Sequence, residues 1–105
     1  MKQLKFRAWD KATETYLYSD KFPSMWQFFK ALEDIGIRHF ETEWYTELRD
    51  KNGVGIYEGD ILKGRLYSGE EHTQEVHWAS YRWEGIDRYD VSEVIGNIYE
   101  GVISK

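Results

Sequence analysis

The chain has 105 residues, enough for one domain, and its 41% hydrophobic and 17% aromatic residues predict a core built from few, large side chains. A net charge of −5 with no Lys/Arg cluster argues against nucleic acid as the main partner, and the lack of cysteine excludes disulfides, thiolate metal sites and a Cys nucleophile. No run approaches the roughly 18 apolar residues of a membrane helix, and Met1–Arg7 lacks the apolar centre of a signal peptide, so the expectation is a cytoplasmic protein without a membrane partner.

In chain order, Leu4, Phe6 and Ala8 alternate with polar residues and predict one face of a strand. Asp10-Lys11-Ala12-Thr13 reads as a turn, and Tyr16-Leu17-Tyr18 as the partner strand of a hairpin. The one predicted helix starts after Pro23, with Ser24 as its cap and Gln27 completing a capping box. Met25, Phe28, Phe29, Leu32 and Ile35 form its apolar stripe, Trp26 lies off that stripe and is expected to be partly exposed, and Gly36 supplies a left-handed stop. Residues 37–45 read as extended.

The stretch from Tyr45 to Lys63 carries two turn signals. Asn52-Gly53 predicts a type I′ hairpin turn, because both residues tolerate positive φ. Glu58-Gly59-Asp60 turns the chain into a strand from Ile61, continued by Leu66 and Tyr67 to a polar tip at Ser68–Glu71. Residues 76–83 read as one aromatic strand, with Trp78 on one face and Tyr81 and Trp83 on the other. Tyr89-Asp90-Val91 and Glu93–Glu100 read as two more strands. Short strands punctuated every eight to twelve residues imply a small barrel or sandwich. Gly55–Lys63 and Asn97–Lys105 share Ile-Tyr-Glu-Gly-x-Ile-x-Lys; the expectation is two strands using one turn chemistry, side by side in one sheet.

Three ordered blocks then resemble a known family. Lys5-Phe-Arg-Ala-Trp-Asp-Lys11 is similar to the opening signature of the YopX family of phage and prophage proteins. Tyr45-Thr-Glu-Leu-Arg-Asp-Lys-Asn-Gly53 with Ile56-Tyr-Glu-Gly-Asp-Ile61 resembles its central block, and Val94–Glu100 its closing one. Glu47 stands where the family usually has glycine, which suggests a less strained backbone there; residues 22–40 match no family pattern. The resemblance implies a mainly β (α+β) chain with a small SH3-like barrel in its C-terminal half, an N-terminal β-hairpin and one α-helix. That gives a single domain over residues 1–105, with the hairpin and helix in 1–44 and the barrel-like part in 45–105, and the Tyr45–Lys63 stretch as hinge between them. It implies a phage or prophage origin and transfers no activity and no functional residue.

The candidate sites divide accordingly. Carboxylates abound at Glu41, Glu43, Glu47, Asp50, Glu58, Asp60, Glu70, Glu71 and Glu75, but a solvated acidic surface, with Asp50 and Asp60 serving turns, explains them better than a hydrolase pair. His72 and His77 lack the spacing of a helical zinc pair, and nucleophile-elbow, P-loop and Rossmann patterns are missing. No catalytic residue, metal or cofactor is assigned. Asn52, Gly53, Gly59 and Asp60 are read as structural turns; Trp26, Trp78, Tyr81 and Trp83 are the candidate interaction residues, since exposed aromatics are enriched at interfaces. The expected function is non-enzymatic: binding to a protein partner, either a host factor or a second copy, with host takeover or inhibition of host defence as its sharper form. The alternative is a nucleic-acid-binding SH3-like module stacking bases on Trp78, Tyr81 and Trp83.

Overall fold

The computed structural model describes residues 5–65, 68–79, 82–86 and 92–102. Leu4, Leu66, Tyr67, Tyr81 and the predicted strand at Tyr89–Val91 lie outside the described residues. The chain is mainly β, with one helix and curled, half-barrel sheets. It divides into two compact units, Met1–Tyr45 and Thr46–Lys105.

The first unit holds β1 (Phe6–Asp10), β2 (Thr15–Tyr18), α1 (Met25–Ile35) and the start of β3 (Phe40–Arg49). β1 pairs antiparallel with β2 on one side and β3 on the other. Asp10 organises the hairpin turn. Its carboxylate accepts the Ala12 and Thr13 amides at 2.9 and 3.4 Å, and its carbonyl accepts the Glu14 amide. The Ala12 bond in particular holds the Asp10 carboxyl below its ordinary pKa.

α1 begins as its cap predicts: the Ser24 hydroxyl accepts the Gln27 amide at 3.1 Å. Phe28 and Leu32 are fully buried against Ala8 and Phe40, with Phe6, Leu17, Phe22, Met25 and Phe29 around them. Ile35, expected in the stripe, is 58% exposed instead. It closes the last turn of the helix, just before Gly36. Gly36 stops the helix at φ 130°, ψ 99°, a positive φ outside the left-handed helical well. A single 3₁₀ turn at Ile37–His39 then precedes β3, so the run after the helix is extended only from Phe40.

The second unit takes the rest of β3, then β4 (Gly55–Tyr57), β5 (Asp60–Arg65), β6 (Glu71–Glu75), β7 (His77–Ala79), β8 (Arg82–Glu84), β9 (Glu93–Asn97) and β10 (Gly101–Val102). An antiparallel sheet runs β10-β9-β5-β6, and β7 and β8 form a separate two-stranded ribbon. Ile56, Leu62, Val76 and Ile86 make the core, with Leu48, Trp83 and Val94 packed on it. Of the echoed segments, β5 and β10 share this sheet but not side by side, since β9 lies between them, and β4 at the start of the first segment lies outside it. The turns of the two segments adjoin, with Asp60 opposite Asn97 and the Ile98 amide on the Gly59 carbonyl at 2.9 Å.

Two local expectations are corrected. The Asn52-Gly53 turn is not type I′, because Asn52 keeps negative φ while Gly53 sits at φ 81°. The Gly53 amide bonds the Asp50 carbonyl at 3.0 Å and the Asp50 amide the Val54 carbonyl at 2.8 Å. This is a three-residue loop, a type I turn closed by a left-handed glycine.

Glu47, expected to be less strained than the glycine of the family pattern, has φ 71°. The left-handed region costs a side-chain-bearing residue about 1–2 kcal/mol. Burial shifts phase here, with Tyr45 and Thr46 both buried, as at a β-bulge. The Thr46 hydroxyl stitches the irregularity, donating to the Ile56 carbonyl at 2.7 Å and accepting the Leu48 amide at 3.2 Å. Glu47→Gly should therefore raise stability by about 0.5–1 kcal/mol, glycine's extra chain entropy offsetting part of the relieved strain. A urea midpoint unchanged or lowered in that variant would refute the strain.

Candidate interaction surface

Residues 76–83 do not form one strand. The chain reverses after Ala79, and β7 pairs with β8 so that His77 lies opposite Glu84, Trp78 opposite Trp83 and Ala79 opposite Arg82. Directly opposed residues share a face. The expectation that Trp78 and Trp83 point to opposite sides is thus overturned, because the parity argument holds only for an unbroken strand. Their rings meet edge to face, with centroids 5.1 Å apart. Trp83 is seated on the core of the second unit, whereas Trp78 is 51% exposed. On the other face of the ribbon, Glu84 takes contacts from His77 at 3.4 Å and Arg82 at 3.5 Å.

An indole braced by a neighbouring ring loses less rotamer freedom on binding than a free one. The pair therefore presents a rigid aromatic ledge whose base is anchored in the core. Tyr81 lies outside the described residues, so its place on the ledge is not part of the geometry.

Trp26 belongs to the first unit, on α1. It is 68% exposed, off the buried side of α1 as expected. The first unit has a second exposed indole that sequence reasoning missed. Trp44 is half exposed and stacks at 4.5 Å on Phe6, its register partner, which in turn meets Phe29 of α1 at 5.3 Å. The sequence carries only a weak signal for it: residues 37–45 read as extended, without a register that would set Trp44 beside Phe6.

The turn residues hold backbone in place. Asp50 is buried, and its Oδ1 accepts the Asn52 and Val54 amides at 2.8 and 2.9 Å while Oδ2 accepts the Val94 amide at 2.9 Å. Asp60 is also buried and accepts the Tyr57 amide at 2.8 Å, across the turn in which Gly59 takes φ 87°. Asn97 does the same in the second echo, its Oδ1 accepting the Tyr99 and Glu100 amides at 3.0 and 2.8 Å. Glu43 departs from the solvated-surface expectation: it is buried with Arg7, Nε to Oε1 at 2.7 Å, and accepts the Tyr16 hydroxyl at 3.0 Å. His72 and His77 sit on different strands, β6 and β7; the buried His72 Nδ1 meets no hydrogen-bond partner among the described residues.

Charge is divided unevenly. Residues 1–45 carry seven Lys/Arg and seven Asp/Glu, while residues 46–105 carry seven and twelve, so the whole net charge of −5 falls in the second unit. The exposed indole of Trp78 therefore sits in the acidic part of the chain, and Trp26 and Trp44 in a neutral one.

The family described as YopX protein matches residues 5–102, nearly the whole chain. The chain belongs to the YopX family. Among solved structures it is similar to the crystal structure of protein EF1440 from Enterococcus faecalis, with a TM-score of 0.58 and 22% identity over 95% of this chain and 96% of that one. At that identity the likeness speaks for the fold. No curated protein matches. No helix among the described residues is long and apolar enough to cross a membrane. Within this YopX chain, the three blocks noted in the sequence map onto β1, onto the bulge with its two turns, and onto β9 with its turn.

Proposed function

We propose that this YopX-family protein is a non-enzymatic phage or prophage accessory protein, acting in the cytoplasm of the host by binding another protein. Its second unit is read as an SH3-like barrel, and host takeover or inhibition of a host defence is the sharper form of the role. The observation that carries the proposal is the Trp78 ledge: a half-exposed indole braced edge to face by Trp83, which is itself partly buried against the core. Buried, rigid aromatic anchors dominate the energetics of protein interfaces. The buried carboxylates support the same reading, since Asp50 and Asp60 are engaged with backbone amides and Glu43 with Arg7. The acidic charge of the second unit disfavours the nucleic-acid alternative.

The test is affinity capture of the tagged full chain from infected or lysogenic cells with mass spectrometry, beside size-exclusion chromatography with light scattering. A partner, or a second copy, held by the wild type and lost in Trp78→Ala is the expected result. Repeated recovery of no partner from a monodisperse monomer would overturn the proposal.

A further inference from the structure

We infer that the partner segment received by the Trp78 ledge is basic, an extended stretch of polypeptide bearing arginine or lysine, with a cation lying over the exposed indole. This rests on the protein-binding reading above and adds the chemistry of the partner. Two independent observations converge on it.

The first is the ring itself. Trp78 is half exposed, and tryptophan is the strongest aromatic acceptor for a guanidinium or ammonium group. Its edge-to-face contact with Trp83 braces the ring, so a cation meets a preformed aromatic pair.

The second is the field around it. All of the chain's net charge of −5 lies in residues 46–105. The carboxylates engaged with buried amides, Asp50 and Asp60, face inward, whereas Glu70, Glu75 and Glu100 are exposed, as is Glu71, which pairs with Lys63 and Arg65 at 3.6 Å. Glu75 stands at the foot of the ribbon: only Val76 separates it from β7, and a side chain at Gly85 would collide with its carbonyl. Arg82, the cation of the ribbon, lies on the face opposite Trp78, together with His77 and Glu84. A basic segment approaching the indole is thus drawn by the acidic unit and meets no cation of the ribbon on the same face.

The experiment is a tryptophan-fluorescence and calorimetric titration of the full chain with a short peptide of alternating arginine and glycine. The controls are an equal-length glutamate–glycine peptide, a serine–glycine peptide and single-stranded DNA. The arginine peptide should bind, weaken as salt rises, and lose about tenfold in affinity on Trp78→Ala. Trp78→Phe should retain part of that affinity. A second variant, Glu75→Gln, leaves the ring untouched and should weaken binding more at low than at high salt. Circular dichroism of each variant guards against unfolding. Equal binding of the serine and arginine peptides, or an arginine affinity unaffected by Trp78→Ala, would overturn the inference while leaving an uncharged protein partner open to the capture experiment. Preferential binding of DNA would overturn both.

Discussion

Replacing Asp50 by alanine should destabilise the protein by about 3–4 kcal/mol, enough to consume a large part of the stability of a domain this small. One buried carboxylate accepts three backbone amides, Asn52 inside the 51–53 loop, Val54 just after it, and Val94, forty-four residues away. Each charge-assisted bond contributes on the order of 1.5 kcal/mol, and alanine would leave all three donors without that acceptor. Asparagine separates the two halves of the role. Its carbonyl oxygen can keep the loop amides, but its NH₂ then faces the Val94 amide, donor against donor, so Asp50→Asn should fall between wild type and Asp50→Ala. The readout is urea denaturation, with a lowered midpoint at unchanged slope, together with faster hydrogen exchange at the Val94 amide. An alanine variant within about 1 kcal/mol of wild type would show that water replaces the carboxylate and that the turn carries itself.

The second large effect concerns Arg7 and Glu43, directly opposed across β1 and β3 and both buried. Breaking a buried pair leaves an uncompensated charge, so Glu43→Ala or Arg7→Ala should each cost about 3–5 kcal/mol. Replacing both with apolar residues of similar size, Arg7→Met with Glu43→Leu, should cost much less than the sum of the single replacements, by 2 kcal/mol or more in a double-mutant cycle. Some loss remains, because the Arg7 guanidinium also lies 4.3 Å from the Tyr16 ring centroid. The pair matters more for register than for stability. A one-residue slip of β1 against β3 would set Arg7 beside Thr42 or Trp44 and strand both charges, so the pair pins the alignment that places Phe6 on Trp44. A double variant as unstable as the sum of the singles would remove this account.

What could be read in the sequence was local. The α1 cap at Ser24, the turn roles of Gly53, Gly59, Asp50 and Asp60, the exposure of Trp26 and the shared chemistry of the echoed segments all depend on residues within a few positions of one another. Side-chain capping and the backbone freedom of glycine act at that range. The family blocks were legible for the same reason, since they cover these turns.

What the tertiary structure decided was long-range. That Glu43 is buried depends on Arg7 arriving opposite it from another strand. That Glu47 is strained depends on β3 bulging beside β4, with Thr46 bridging the gap. Most consequentially, the reversal after Ala79 brings Trp78 and Trp83 onto one face, where period-two alternation had separated them. Alternation assigns faces only along a strand of known extent, and the end of a strand is set by what it packs against. The sequence by itself therefore determined the family, the mainly β character and which residues turn the chain. Only the folded arrangement decided which charges are buried and which aromatics stand together, because those depend on pairings between segments that local patterns do not encode.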